Sequence, residues 1–153
     1  MICIIIYTAG SWLWQKFRTT IEGILMTKIE RFLLPDEMQP VSHYCHVTSA
    51  DDHVWVSGTV GVRSDGSIPN DVVEQFEIAI NAVDRCLKVA GAEARHVVKV
   101  TVMLTDIRDR IAINPIREAY FGDHRPASTL FEVSALVEPA MKVEIDVEAI
   151  IDK

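Results

Sequence analysis

The sequence predicts a single α+β domain in which two helices lie on one face of a mainly antiparallel or mixed sheet. The first observation is the segment 141–149, where apolar and charged residues alternate strictly, as in a strand with one buried face. The second is a pair of strand-like segments near residue 50, and the third is an amphipathic helical pattern from Asp71 to Ala90. With 153 residues, 49% of them hydrophobic, the chain suits one domain with a core.

The N-terminal segment 1–25 is predicted to be an extension of a domain that spans residues 26–153. Its apolar run, Met1 to Trp14, precedes the positive charges at Lys16 and Arg18. A signal peptide has the opposite order, and the run is shorter than the ~20 residues that span a bilayer. We therefore predict neither a signal peptide nor membrane contact. We predict that Met26 is the biological start, with an extra packed N-terminal element as the alternative.

The domain begins with strand patterns. A short extended segment, Ile29–Leu34, precedes a predicted hairpin of two strands, Tyr44–Thr48 and His53–Val62. The four turn-forming residues from Ser49 to Asp52 are predicted to connect them. Gly58 interrupts the second strand, which indicates a bulge or a close approach of the backbone to another group, such as a ligand.

The first helix has local signals at both ends. Asn70 or Asp71 can cap its start, and Gly91 follows the last residue of the pattern, where a helix commonly ends with a left-handed glycine. Apolar residues recur at spacings of three and four between these limits, so the helix must bury one stripe against the sheet.

A strand and a second helix follow. The β-branched segment Val97–Thr105 is the strand, and Asp106 is a predicted N-cap for a short helical turn. Asn114 as N-cap and Pro115 as first helical residue predict a helix that continues until Gly122.

The last strands, within residues 125–150, are joined by a turn at Glu138 and Pro139. Ser128, Leu130 and Glu132 share one face of the first of them. The polar face of the second strand is predicted to be either a solvated surface or the lining of a cleft.

Composition limits the partners. A net charge of −7 without any Lys/Arg cluster disfavours nucleic acid, because a protein that binds phosphates needs a basic face. Three cysteines without metal-ligand spacing predict neither a disulfide framework nor zinc, and His43 and His46 point to opposite faces. We predict no metal and no other cofactor, a cytoplasmic protein, and a homo-oligomer that covers the free sheet face.

Several short motifs, spread from residue 26 to residue 150, together carry a family resemblance. They are Tyr44, Ser57-Gly58, Ala90-Gly91, Val98–Val102, Asp106, Asn114, Glu118–Phe121, Arg125–Ala127, Glu132-Val133 and Val143–Ile145. They resemble the RidA/YjgF family, also called endoribonuclease L-PSP-like. The resemblance implies a chorismate-mutase-like fold that forms homotrimers with small-molecule clefts between subunits. It also implies hydrolysis of reactive enamines and imines to a 2-keto acid and ammonia.

The same resemblance implies site residues. Glu144 takes the position of the catalytic acid, which suits water positioning and proton transfer. Tyr44 is the cleft tyrosine, and Gly58 and Asn114 match other cleft positions. In deaminating members an arginine follows the Pro-Ala pair and suits a substrate carboxylate, but here that residue is Ser128.

The absence of that arginine divides the functional hypotheses. Arg125 is a candidate substitute, although its position before Pro126 favours an extended conformation that points away from Ser128, and its alternative role is a surface or subunit-contact cation. A pocket with hydroxyls and carboxylates in place of a fixed cation favours a neutral or amine-bearing ligand. The first hypothesis is a RidA-like protein that binds, with or without hydrolysis, a small imine, enamine or other nitrogen-containing metabolite. The alternative is an active 2-imino acid deaminase, and a ribonuclease is disfavoured by charge.

Overall fold

The computed structural model describes residues 27–152, so the predicted extension over residues 1–25 lies outside the described part of the chain. One six-stranded mixed sheet has the order β1-β2-β3-β6-β4-β5. Its strands are β1 (Ile29–Phe32), β2 (Val47–Ala50), β3 (His53–Val60), β4 (Val97–Leu104), β5 (Ala127–Glu132) and β6 (Val143–Ile150), and its helices are α1 (Val72–Val89) and α2 (Arg110–Phe121). Only the β4–β5 pair is parallel. The predicted α+β class is confirmed.

Both helices pack on one face of the sheet. The alternating residues of β6 supply its centre, since Val143, Ile145 and Val147 are buried while the acidic residues between them are not. α1 lies over β3 and β6, and Ile113 and Phe121 of α2 belong to the same core. Burial of each large apolar side chain contributes about 1.5–3 kcal/mol, so this face holds the fold together.

The ends of α1 follow the local sequence. The Asp71 side chain accepts a hydrogen bond from the Glu74 backbone N–H at 3.4 Å, as an N-cap does. Gly91, just beyond the helix, has φ of +80°, a conformation that glycine adopts without steric cost. Both predicted boundary signals are therefore confirmed.

The β2–β3 hairpin is correct in type, but its predicted connection was wrong. Ser49 and Ala50 pair with Val54 and His53, which leaves two residues for the turn instead of four. Asp51 has φ of +55°, a left-handed conformation that reverses the chain in this short space. Ser49 is buried, so strand pairing and burial outweighed its preference for turns.

α2 begins earlier than predicted. A 3₁₀ turn, Ile107–Asp109, leads directly into a helix that starts at Arg110, and Pro115 lies inside it rather than at its first position. Proline removes one helical hydrogen bond, but burial of Ile113, which precedes Pro115 in the same helix, stabilises the continuous helix. Asp106 caps the 3₁₀ turn by accepting from the Arg108 backbone N–H at 2.9 Å, as predicted.

The opposite sheet face is not covered by either helix. It carries Glu144, Asp146 and Glu148 of β6, and it leaves Trp55 39% exposed and Phe131 41% exposed. The homo-oligomer expected to cover this face stays a prediction. Among residues 27–152, no helix has the length and apolar character needed to cross a membrane.

Candidate functional site

Glu144 lies on the uncovered face of β6, where it is half-buried. Its register neighbours are Val60 of β3 and Met103 of β4. Burial, and then the negative charge of Asp146, raise the pKa of the Glu144 carboxyl above its ordinary range. A carboxyl with a raised pKa can hold and release a proton closer to neutral pH, which suits general acid–base chemistry.

Gly58 explains how this carboxyl is held. The β3–β6 register shifts between Val56 and Thr59, so Gly58 lies in a bulge. A Cβ atom at residue 58 would lie 1.8 Å from Glu144 Oε1, far inside van der Waals contact. The sequence indicated a bulge or a close approach; the structure has both, and the approaching group is the Glu144 carboxyl.

Tyr44 is brought near Gly58, although Glu144 does not line the pocket that these two residues share. Tyr44 is 40% exposed and lines this small pocket together with Gly58 and Thr59. The pocket volume of about 40 Å³ within one chain is close to the ~30 Å³ that a water molecule occupies in the liquid. We call Tyr44, Gly58 and Glu144 the acid half of the candidate site.

Ser128 lies on the other side of the sheet. In the β4–β5 ladder it is opposite Val100, whose side chain is buried beneath the helices. Met103 is the register neighbour of both Phe131 and Glu144, so these three share the uncovered face. Within one chain, the sheet therefore separates Ser128 from Glu144.

Arg117 is the functional candidate that the sequence reasoning missed. It reaches from α2 to β5, where its Nη2 donates a hydrogen bond to Ser128 Oγ at 2.7 Å. The expectation that this region lacks a fixed cation was wrong, because a guanidinium from the helix lies against the serine. The signal was its spacing: Arg117 lies four residues after Ile113 and four before Phe121, on the buried stripe of α2.

The Arg117 guanidinium is partly buried, and one of its hydrogen-bond donors has no partner in the described residues. Its Nε atom is buried and has no hydrogen-bond partner among residues 27–152. Burial also lowers the pKa of Arg117 below its usual value. A desolvated cation attracts an anion more strongly than an exposed one does.

Asn114 and Arg125 border the same guanidinium. Asn114 and Arg117 line an open groove of about 780 Å³ with Leu130, and they line another of about 580 Å³ with Arg125. The Asn114 side chain also donates to Glu118 Oε1 at 2.7 Å. We call Asn114, Arg117 and Ser128 the cation half of the candidate site.

Arg125 departs from its predicted conformation. It was expected to be extended before Pro126, but its φ of 38° and ψ of 75° are left-handed. The chain must reverse between α2 and β5, and this residue makes part of that reversal. Alternation along a strand therefore does not apply to Arg125, and this residue borders the groove that contains Arg117.

Glu132 has a structural contact instead of a place in either half. Its Oε2 accepts a hydrogen bond from the Ile107 backbone N–H at 2.8 Å, at the start of the 3₁₀ turn. In the described part of the chain, no group of three or more His, Cys, Asp or Glu side chains has an arrangement that could hold a metal ion. The chemistry available is thus a proton-exchanging carboxyl on one face and an anion-binding guanidinium on the other.

Comparisons with known proteins agree with this architecture. The chain is 32% identical over 129 residues to the 2-iminobutanoate/2-iminopropanoate deaminase of Mus musculus, covering 82% of this chain and 95% of that protein. The crystal structure of the YjgF gene product from E. coli aligns with a TM-score of 0.73 at 26% identity, over 79% of this chain and 98% of that one. A Mycobacterium tuberculosis member of the YjgF/YER057c/UK114 family also aligns, with a TM-score of 0.73 at 26% identity, over 81% and 100% of the two chains.

The family model described as Endoribonuclease L-PSP matches residues 35–151, which include both helices and every strand except β1. The match spans both halves of the candidate site and the strands that separate them. The chain therefore belongs to the RidA/YjgF family, whose model bears the description endoribonuclease L-PSP.

Proposed function

We propose that this protein hydrolyses a small imine or enamine to a carbonyl compound and ammonia, in a cleft between neighbouring subunits of a homotrimer. The observation that carries the proposal is Glu144, a half-buried carboxyl with a raised pKa that is held against the Gly58 backbone. Relatives named 2-iminobutanoate/2-iminopropanoate deaminase, which match over most of this chain, support the reaction class.

The proposed reaction needs a proton to move from oxygen to nitrogen. A water molecule attacks the C=N carbon and gives one proton to Glu144, and the electron pair of the C=N π bond becomes an N–H bond as Glu144 passes that proton to the nitrogen. The resulting carbinolamine loses ammonia as its C–N bond breaks, its hydroxyl proton passes to nitrogen through Glu144, and the C=O bond forms. An enamine enters the same route after protonation on carbon. One carboxyl whose pKa lies above its ordinary range can serve both transfers.

The oligomeric part of the proposal follows from the separation of the two halves. The acid half lies on the uncovered sheet face, and the cation half lies beside α2 on the covered one. Trp55 and Phe131 expose apolar surface on the uncovered face, which a second copy would bury. In a closed ring, the acid half of one subunit can meet the cation half of the next.

The test is ammonia release from freshly generated 2-aminoacrylate, compared with buffer alone. Glu144→Gln should lower the rate by about 100-fold or more, since general acid–base groups contribute about 10²–10⁴-fold. Glu148→Gln is the matched control, because Glu148 is an acid on the same face of β6 whose charge is not among the causes that raise the pKa of Glu144. Its rate should stay near that of the parent. A parent rate equal to buffer, or a fully active Glu144→Gln variant, would overturn the proposal.

Ribonuclease activity, which the family description includes, is disfavoured by charge. The net charge of −7 repels a polyphosphate backbone, and the arginines that line the two grooves are accompanied there by two acids, Glu118 and Asp123. RNA cleavage that co-purifies with the protein and disappears in Glu144→Gln would favour that alternative.

A further inference from the structure

We propose that Arg117 is the anion anchor of this site, with Ser128 as its positioning residue, and that the ligand of the cleft therefore carries a carboxylate. This inference rests on the proposed function and specifies the substrate class of the same site. It reverses the expectation that the loss of an arginine at residue 128 favours a neutral or amine-bearing ligand. The cation in this region is Arg117 of α2 instead of an arginine at residue 128 of β5.

The side chains of Arg117 and Ser128 are in direct contact. A guanidinium has five N–H donors in a planar fork, and Ser128 Oγ accepts a hydrogen bond from Nη2 at 2.7 Å. That bond orients the plane of the fork and uses one donor. The Nε donor is buried without a partner in the described residues and is closed to a ligand, so the three remaining Nη N–H groups are the donors for a ligand oxygen.

Arg117 differs from four exposed arginines in its partners. Each of the following exposed arginines forms an ion pair with a carboxylate: Arg63, Arg85, Arg95 and Arg108. Arg117 is half-buried, but it forms no ion pair with any of residues 27–152, and burial is the only influence that shifts its pKa. A desolvated cation without an anion destabilises a protein, so a bound anion explains its position better than the fold does.

The shape and charge of the site favour a carboxylate. The planar fork of one arginine matches the two oxygens of a carboxylate. Asn114, on the same helix and in the same grooves, adds a neutral amide, which does not increase the charge. The combined lining of the two grooves has a net charge of +1, because three arginines outnumber two acids: Arg110, Arg117, Arg125, Glu118 and Asp123. A single net positive charge favours a singly charged carboxylate over a phosphate. The grooves of about 580 and 780 Å³ suit a small metabolite.

The experiment compares two stable probes, 2-oxobutanoate and its uncharged amide, by titration calorimetry. The parent should prefer the acid over the amide by about 10- to 100-fold, because hydrogen bonds between charged groups are the strong ones. Arg117→Gln should remove this preference, and Ser128→Ala should reduce it several-fold because the fork is no longer oriented. Arg125→Gln is the matched control, an arginine of the same groove, and it should keep the preference.

A relocation test separates the anchor from a general effect of charge. In the Arg117→Gln background, Ser128→Arg returns a guanidinium to β5 and should restore part of the acid preference. In the parent background, the same Ser128→Arg change brings two cations together and should weaken binding instead. If Arg117 had only a structural role, Ser128→Arg would neither restore the acid preference in the Arg117→Gln background nor weaken acid binding in the parent.

Folding is checked separately. Removal of a desolvated, unpaired cation should leave the unfolding temperature unchanged or raise it, so Arg117→Met should remain folded while losing the acid preference. If Arg117→Gln and Arg117→Met keep the preference, if Arg125→Gln loses it instead, or if the parent binds the acid no better than the amide, the anchor is wrong. These outcomes leave Glu144-dependent ammonia release untouched. Conversely, acid binding that depends on Arg117 without ammonia release would refute hydrolysis and keep the anchor.

Discussion

The two halves of the candidate site hold their charged groups in different ways. Glu144 lies on a central strand, and its carboxyl fills the space that the missing side chain of Gly58 leaves in the β3 bulge. Arg117 is a long side chain on α2, oriented by one hydrogen bond to Ser128 on an edge strand. The acid is positioned by backbone geometry, whereas the cation is positioned by a side-chain contact.

Because the two groups are held differently, the cation can be supplied from more than one position in the sequence, whereas the acid cannot. A carboxyl that needs a glycine bulge on the neighbouring strand cannot be moved to another element without losing its support. A guanidinium on a flexible stem can reach one place from more than one element, which is why a serine at residue 128 does not by itself remove the cation from the region. The predictions below test this contrast, beginning with the largest expected effect.

Gly58→Ala should lower ammonia release by about 100-fold with little change in the free energy of unfolding. Its Cβ would lie 1.8 Å from Glu144 Oε1, the end of a flexible side chain that can move away. The loss of a positioned acid–base group has effects of this size. Gly61→Ala is the control, since its Cβ would lie 2.3 Å from the Gln75 backbone carbonyl oxygen and should destabilise by about 1–3 kcal/mol. Equal effects of the two changes on unfolding in denaturant would contradict the contrast.

Gln75→Leu should lower the free energy of unfolding by about 2 kcal/mol, which corresponds to about a 30-fold change in the unfolding constant. The buried Gln75 amide donates to Pro69 O at 2.6 Å and to Ala140 O at 2.9 Å, and its Oε1 accepts from Lys142 N at 2.8 Å. Leucine would leave these backbone groups unsatisfied just before β6. Chemical denaturation measures the change. A variant as stable as the parent would show that the approach to β6 does not depend on this side chain.

Mixing two defective variants tests whether the halves come from different subunits. Glu144→Gln and Arg117→Gln chains, co-expressed with different tags, should recover about a quarter of parental activity, because each inter-subunit site draws one chain at random for each half. That is roughly a 25-fold gain over variants at ~1% of parental activity. Activity no higher than the mean of the separate variants would place both halves within one chain.

The smallest expected effect is the pH dependence of stability at Glu144. Because burial raises its pKa above the ordinary value of 4.5, the folded state binds more protons than the unfolded state just above pH 4.5, and stability falls as the pH rises through that window. Glu144→Gln should therefore unfold about 1–2 °C higher than the parent at pH 7, a small shift because the group is half-exposed. The difference should vanish below pH 4. Thermal scans at both pH values measure it, and a larger gain at low pH would reverse the assigned sign.

Local patterns predicted much of the fold. Alternation along β6, the Asp71 cap and Gly91 depend on neighbours within a few residues, and all three agree with the structure. The boundaries of α2 and the β2–β3 turn did not follow their local signals. Pro115 lies inside a helix and Ser49 inside a strand, because core packing and strand pairing outweighed those preferences.

The sequence alone determined the fold class, the family resemblance and the acid on the last strand, because strand alternation, helix caps and short motifs are local properties. Tertiary structure decided which charged groups meet. Arg117 and Ser128 are 11 residues apart on different elements, and only the packing of α2 on the sheet joins them. Strand pairing places Glu144 on the opposite face of the sheet, because side chains of paired residues on neighbouring strands lie on the same face. Local sequence does not specify which residues pair.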